Sequence, residues 1–436
     1  MNVYKKFNIL ILGLLCLAAC FCSMLSLECF RNFLIVSAER FLVHRPLTHE
    51  VWHERLFAFW QLRFLILCCL IVLKFFSIFF AVRIHDSFIN FVRVLACMMV
   101  FILHTSIFTT SGGTPLFTNI YIRLLQTPAW GGVWIFFILG GYLAGKSFSD
   151  VRYEIKAKSL ARYYSNKFFK ILVPTFCFLF LCYVFAYPLQ VRDNPAALLS
   201  FLTLTYNGTG PLALNGTGAA WYVFTLVHLY LLTPFFHIAA EKLSKKNVLL
   251  FCASAILLLL GLFYRYYAIK FGWDWYSKIY TPFYANIDLF FGGILIDRIA
   301  RVKFKKQHCV LFKDLSVFAL LSLVCLNSLC YGNMFIYQIL CPSFYLLTLG
   351  AALIFFSDEK WTNDYSSFFE KALAAFAGIT FEFYLFHSLI YDRILPAFKE
   401  QNVFLLHAKL LIVGFVLTTI CAIGFNRIFA RRKGAL

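Results

Sequence analysis

Arg93 and His104 stand eleven residues apart in the apolar run from Phe88 to His104. At about 100° per residue that spacing ends roughly 20° past three full turns, so on a helix the two side chains share one face, about 16 Å apart along the axis. An imidazole exchanges a proton near neutral pH and can act as a general base toward a hydroxyl. A guanidinium fixed inside a protein can hold phosphate or a carbonyl oxygen. Charge inside an apolar span is costly, which makes each residue a functional candidate. For either residue alone a structural role weighs equally: a histidine satisfied by a neighbouring helix, an arginine snorkelling to the surface.

Four further ionisable residues fall in apolar runs. His387 lies at nearly the depth of His104, which suits a second catalytic or substrate-orienting role as well as a structural one. Asp288, near the outer end of its run, can accept from a sugar hydroxyl or orient an imidazole, or can be a helix-packing partner. His228 is a further polar candidate, and Glu382 has no role assigned by the sequence. Seven basic residues from Lys146 to Lys170, among them Lys167 and Lys170, can hold phosphates of a nucleotide-bearing ligand. They fit an ordinary cytoplasmic loop at least as well.

The elements that must position these residues are membrane helices. Hydrophobic residues make up 61% of the 436 and charged residues only 14%, outside the range of soluble domains. Apolar runs bounded by charges or Gly, Pro and Asn predict an all-α polytopic bundle of about twelve spans. They lie near 7–27, 59–82, 88–108, 130–146, 168–188, 219–240, 248–268, 283–300, 314–331, 336–356, 373–394 and 404–428. Basic clusters follow the even-numbered spans, so the positive-inside rule puts both termini in the cytoplasm. The net charge of +20 is thereby explained by topology, and nucleic acid is not an expected partner.

The 15 cysteines lie mostly within apolar runs, without disulfide or metal spacing, so no metal site is expected. The opposite loops, 109–129 and 189–218, are less basic, and the second carries Asn-Gly-Thr-Gly at both Asn207 and Asn215. Such loops suit the lip of a site or a plain connector. Leu17-Ala18-Ala19-Cys20 has the form of a lipoprotein cleavage site, but the apolar run continues to Leu27, which favours an uncleaved anchor.

The ordered motifs carry more. Arg93 and His104 with ten residues between them, Gly132-Val133-Trp134-Ile135-Phe136-Phe137-Ile138-Leu139-Gly140-Gly141-Tyr142, Asn166 to Pro174, Trp221 to Pro234, and Tyr384-Leu385-Phe386-His387 resemble, in order and spacing, segments of the acyltransferase-3 family of membrane acyltransferases. The resemblance implies a core of about ten helices over 88–436, with a pair of helices added in front over 1–87. It departs from the family pattern at Gly140, often Ser, and at Leu226, often acidic. Those departures leave His104 as the expected general base.

The resemblance implies an O-acyltransferase of the bacterial inner membrane that moves an acyl group, expected to be acetyl, from acyl-CoA to a surface polysaccharide or lipopolysaccharide hydroxyl. Acetyl-CoA would be a donor substrate, with no permanently bound cofactor. His104, Arg93 and His387 would be catalytic; Trp221, Tyr230, Asp288 and His228 would meet the acceptor; Arg93, Lys167 and Lys170 would hold the donor. The partners expected are therefore acyl-CoA, a glycan or lipid-linked glycan, and membrane lipid. The competing reading is a transporter or flippase whose polar residues line an alternating-access path. No inverted repeat is visible in the sequence.

Overall fold

The computed structural model describes residues 8–19, 66–78, 87–107, 128–186, 195–206, 217–302, 309–330, 336–356, 368–394, 398 and 403–430. The possible cleavage site at Cys20, Asn207, Asn215, the 109–127 part of the first outer loop and the basic C-terminus lie outside them. Among the described residues there is helix in every one of the twelve predicted segments and no strand.

In chain order the helices are α1 (Asn8–Ala19), α2 (Ile66–Ile78), α3 (Phe88–Ile107), α4 (Pro128–Ser149), α5 (Ala157–Phe185), α6 (Pro195–Leu202) and α7 (Ala220–Leu243). They continue as α8 (Asn247–Lys270), α9 (Ile287–Ala300), α10 (Cys309–Cys330), α11 (Cys341–Phe355), α12 (Phe368–Ala377), α13 (Thr380–Ile394) and α14 (Val403–Ala430). Among the described residues six helices are long and apolar enough to cross a bilayer by themselves, or seven if α12 and α13 form one bent span.

The irregular turns have local causes. Pro174 and Pro342 lack an N–H, and each is preceded by a π-helical turn, Phe168–Leu172 and Ile336–Leu340. Thr175 Oγ1 supplies a donor to the Ile171 carbonyl nearby. The predicted single span 373–394 is instead two helices meeting at 66°, broken at Gly378 and Ile379. Helix α8 ends on Gly272 at φ +67°, a left-handed position that glycine adopts without a Cβ penalty. The amides of Gly272 and Trp273 then satisfy the Ile269 and Ala268 carbonyls.

Helix α4 is the hub, packed on α3, α9, α11 and α7. Small residues make that possible, since lipid offers no hydrophobic drive between helices and close backbone approach must supply the contact. A Cβ on Gly132 would sit 2.6 Å from the Ala96 carbonyl oxygen of α3. A Cβ on Gly141 would strike the Phe290 carbonyl of α9, and one on Gly293 would strike that of Ile138. The GGY segment that carries part of the family resemblance is therefore also the point where two backbones touch.

Candidate active site

Site residues converge on the bundle interior from α3, α4, α5, α7 and α13. Helix α7 contains Pro234, whose missing N–H leaves the Tyr230 carbonyl without its helical partner. The Tyr163 hydroxyl of α5 donates to that carbonyl at 3.4 Å, and the Tyr164 hydroxyl donates to Leu231 O at 3.1 Å. One proline thus fastens α5 to α7. One turn beyond Tyr163, Lys167 then lies over the Tyr230 ring, its Nζ 3.6 Å from the centroid.

Two cavities meet at this contact. The outer one, about 550 Å³, is lined by Lys146, Asp150, Arg152, Asn166 and Lys167 among others. The inner one, about 330 Å³, is lined by Phe136, Gly140, Tyr222, Leu226, Glu382 and Tyr384 among others. Arg93, Leu143, Lys170 and Tyr230 line both, so they form the neck between them. The expected donor-side residues Arg93, Lys167 and Lys170 are therefore neighbours on one wall.

His104 and His387 line neither cavity, but one wall residue of the inner cavity touches the pair. Tyr384, on its wall, has its ring 5.4 Å from that of His387. The His387 and His104 rings are 4.8 Å apart and meet edge to face. His387 Nδ1 lies 2.5 Å from the Tyr384 carbonyl. A carbonyl only accepts, so Nδ1 carries the proton and Nε2 of the neutral ring carries a lone pair. That Nε2 is buried and finds no hydrogen-bond partner among the described residues. A tautomer fixed through one nitrogen and a lone pair left on the other is the arrangement a general base requires.

The remaining predicted residues separate from this pair. Asp288 has both oxygens on Arg265, at 2.8 and 2.9 Å, with both residues buried. It is engaged in joining α8 to α9. His228 Nδ1 bonds the Phe224 carbonyl at 2.8 Å and its ring stacks on Phe283. Trp221 is buried among aromatic residues, 5.0 Å from the Tyr280 ring. Of the four residues expected to meet the acceptor, Tyr230 alone lines the cavities described. Gly140 does line the inner cavity, and a Cβ there would make only ordinary contacts with Leu226, Phe290 and Tyr230.

A family model for an acyltransferase domain, acyltransferase-3, matches residues 86–427. The chain belongs to the acyltransferase-3 family. No curated protein and no solved structure matches it. As a member of the acyltransferase-3 family with several helices long and apolar enough to span a bilayer, it is a membrane acyltransferase. Helices α1 and α2 precede the matched region, and α2 is tied to it by a buried pair, Lys74 Nζ to Asp314 Oδ2 of α10 at 2.6 Å, with Ser77 Oγ on Oδ1.

Sequence reasoning missed Arg265, Tyr222 and the linings contributed by Asp150 and Tyr384. Arg265 was within reach, because it interrupts an apolar run in the same way as Arg93. The wall positions of Tyr222 and Tyr384 depend on how α7 and α13 pack in the bundle, which no periodicity encodes.

Proposed function

We propose that the protein transfers an acyl group, acetyl in the first instance, from acyl-CoA to a hydroxyl of a bacterial cell-surface glycan. The donor enters the outer cavity from the cytoplasm, and its phosphates meet Lys146, Arg152, Lys167 and Lys170. Its pantetheine arm passes Arg93 and Tyr230 into the inner cavity, bringing the thioester toward His104 and His387. The observation that supports this reading is a cationic cavity sharing four lining residues with a second one, whose wall residue Tyr384 packs against His387, 4.8 Å from the His104 ring.

The chemistry is a single acyl transfer. The acceptor oxygen attacks the thioester carbonyl carbon while an imidazole takes the hydroxyl proton. The new C–O bond forms, the C–S bond breaks, and the proton passes to the departing thiolate. His104 remains the base expected from the resemblance, and the fixed tautomer of His387 supports that ring as its partner or its equal in proton transfer. Most of the remaining rate enhancement comes from holding two substrates in line within the bundle.

Incorporation of radiolabelled acetyl from acetyl-CoA into surface glycan tests the reading in membranes carrying wild type, His104→Ala, His387→Ala or Arg93→Ala at equal protein level. Label in wild type that disappears in the histidine variants supports it. Wild-type membranes with no label above empty ones would sink it and favour a different donor or a transporter.

A further inference from the structure

Glu382 is a buried carboxylate on the wall of the inner cavity that the proposed transfer does not use. It stands in Thr380-Phe381-Glu382-Phe383, in the first turn of α13, and is only 5% exposed. The break at Gly378 creates that helix start, and the positive end of a helix favours a negative side chain there. Without the break, Glu382 would lie mid-span, where a carboxylate is far more costly.

The two cavities differ in charge on either side of their neck. Outside it, the lining carries Lys146, Arg152 and Lys167 together with Asp150, whose carboxylate pairs with Arg301 at 2.6 Å. Inside it, beyond the shared Arg93 and Lys170, Glu382 is the sole charged lining residue. The outer cavity is therefore the more cationic of the two, and the inner one adds a carboxylate beside the shared Arg93 and Lys170. A carboxylate only accepts hydrogen bonds, so it favours a ligand segment that is uncharged and offers N–H or O–H groups. The pantetheine arm, with two amide N–H groups and a hydroxyl, has that chemistry.

We infer that Glu382 is a donor-binding residue, accepting from an amide N–H or the hydroxyl of the pantetheine arm. This rests on the proposed use of acyl-CoA. Leu226 lines the same cavity from α7, so the carboxylate can be moved across the space without leaving it.

The test measures CoA binding to purified wild type, Glu382→Gln, Glu382→Ala and Leu226→Glu/Glu382→Ala, beside binding of adenosine 3′,5′-bisphosphate, which lacks the arm. Loss of a hydrogen bond to a charged acceptor predicts CoA affinity about tenfold weaker in Glu382→Ala, with the bisphosphate bound no more weakly than by wild type. Leu226→Glu should recover most of that loss, which a purely structural role of Glu382 would not allow. Glu382→Gln, nearly isosteric, should fold where Ala does not and should bind CoA more weakly than wild type. Unchanged CoA affinity in both single variants, or equal losses for CoA and bisphosphate, would overturn the inference. Acetyl transfer is assayed separately: CoA binding that depends on Glu382 without transfer rejects the proposed reaction alone, whereas transfer with Glu382-independent binding rejects the inference alone.

Discussion

Two kinds of charge differ within and beside this bundle. In the pairs Arg265–Asp288 and Lys74–Asp314, each charge is closed off by an opposite one at 2.6–2.9 Å, and all four residues are buried. Around the two cavities, Lys146, Arg152, Lys167, Lys170, Arg93 and Glu382 border open volume. The first kind joins helices; the second lines open space. Burial of an ionisable side chain thus marks a candidate but does not distinguish architecture from site, whereas its access to space does.

The comparison is tested most strongly at the end of the cavity path. His387→Ala or His104→Ala should lower acyl transfer by about 10²–10⁴, the usual worth of a general base, with little change in thermal stability. A comparable fall in melting temperature alongside the lost activity would return the histidines to the architectural class.

The ion pairs should behave in the opposite way. Asp288→Ala leaves Arg265 buried without its counter-charge and should destabilise by about 3–5 kcal/mol, as should Asp314→Ala with Lys74. Replacing both members of the first pair, Arg265→Met with Asp288→Leu, should regain most of that stability and keep transfer activity, because an apolar pair of similar volume needs no compensation. Melting curves in detergent with parallel activity assays decide this. A stable double variant without transfer would restore Asp288 to the site.

Steric closeness gives a smaller effect. Gly141→Ala places a methyl against the Phe290 backbone carbonyl, which cannot rotate away, and should cost about 1–3 kcal/mol by overpacking. Gly140→Ala, one residue earlier but facing the inner cavity, should be nearly neutral for stability and is the internal control. Equal melting temperatures for the two variants would contradict the close α4–α9 contact.

These contrasts also explain what the sequence could reveal. Apolar runs locate helices because lipid demands about 20 apolar residues whatever the tertiary contacts, and each predicted run does contain helix. The bend at Gly378 escaped because a lone glycine in an apolar helix is commonly tolerated. Arg93, Lys167 and Lys170 were legible as one group through charge and motif. Asp288 kept two readings, because its partner Arg265 lies 23 residues away on another helix and only packing reveals the pair. Glu382 was uninterpretable from sequence for the same reason: its meaning lies in the cavity it faces.

The smallest effect lies outside the spans, at Asp274, and is read through pH. Its Oδ2 accepts from the Ser277 N–H at 2.7 Å, capping the π-helical turn Trp275–Tyr280, and that bond holds the carboxyl below its usual range. A group whose folded pKa is depressed stabilises the fold above its unfolded pKa and ceases to do so as pH falls through the folded value. Asp274→Ala should therefore cost at most about 1 kcal/mol at neutral pH, given that the cap is solvent-exposed. The difference in melting temperature from wild type should hold down to about pH 4 and shrink below it. A difference that stays constant to lower pH would show that the side chain acts by its shape and not by its charge, separating this exposed cap from both kinds of buried charge.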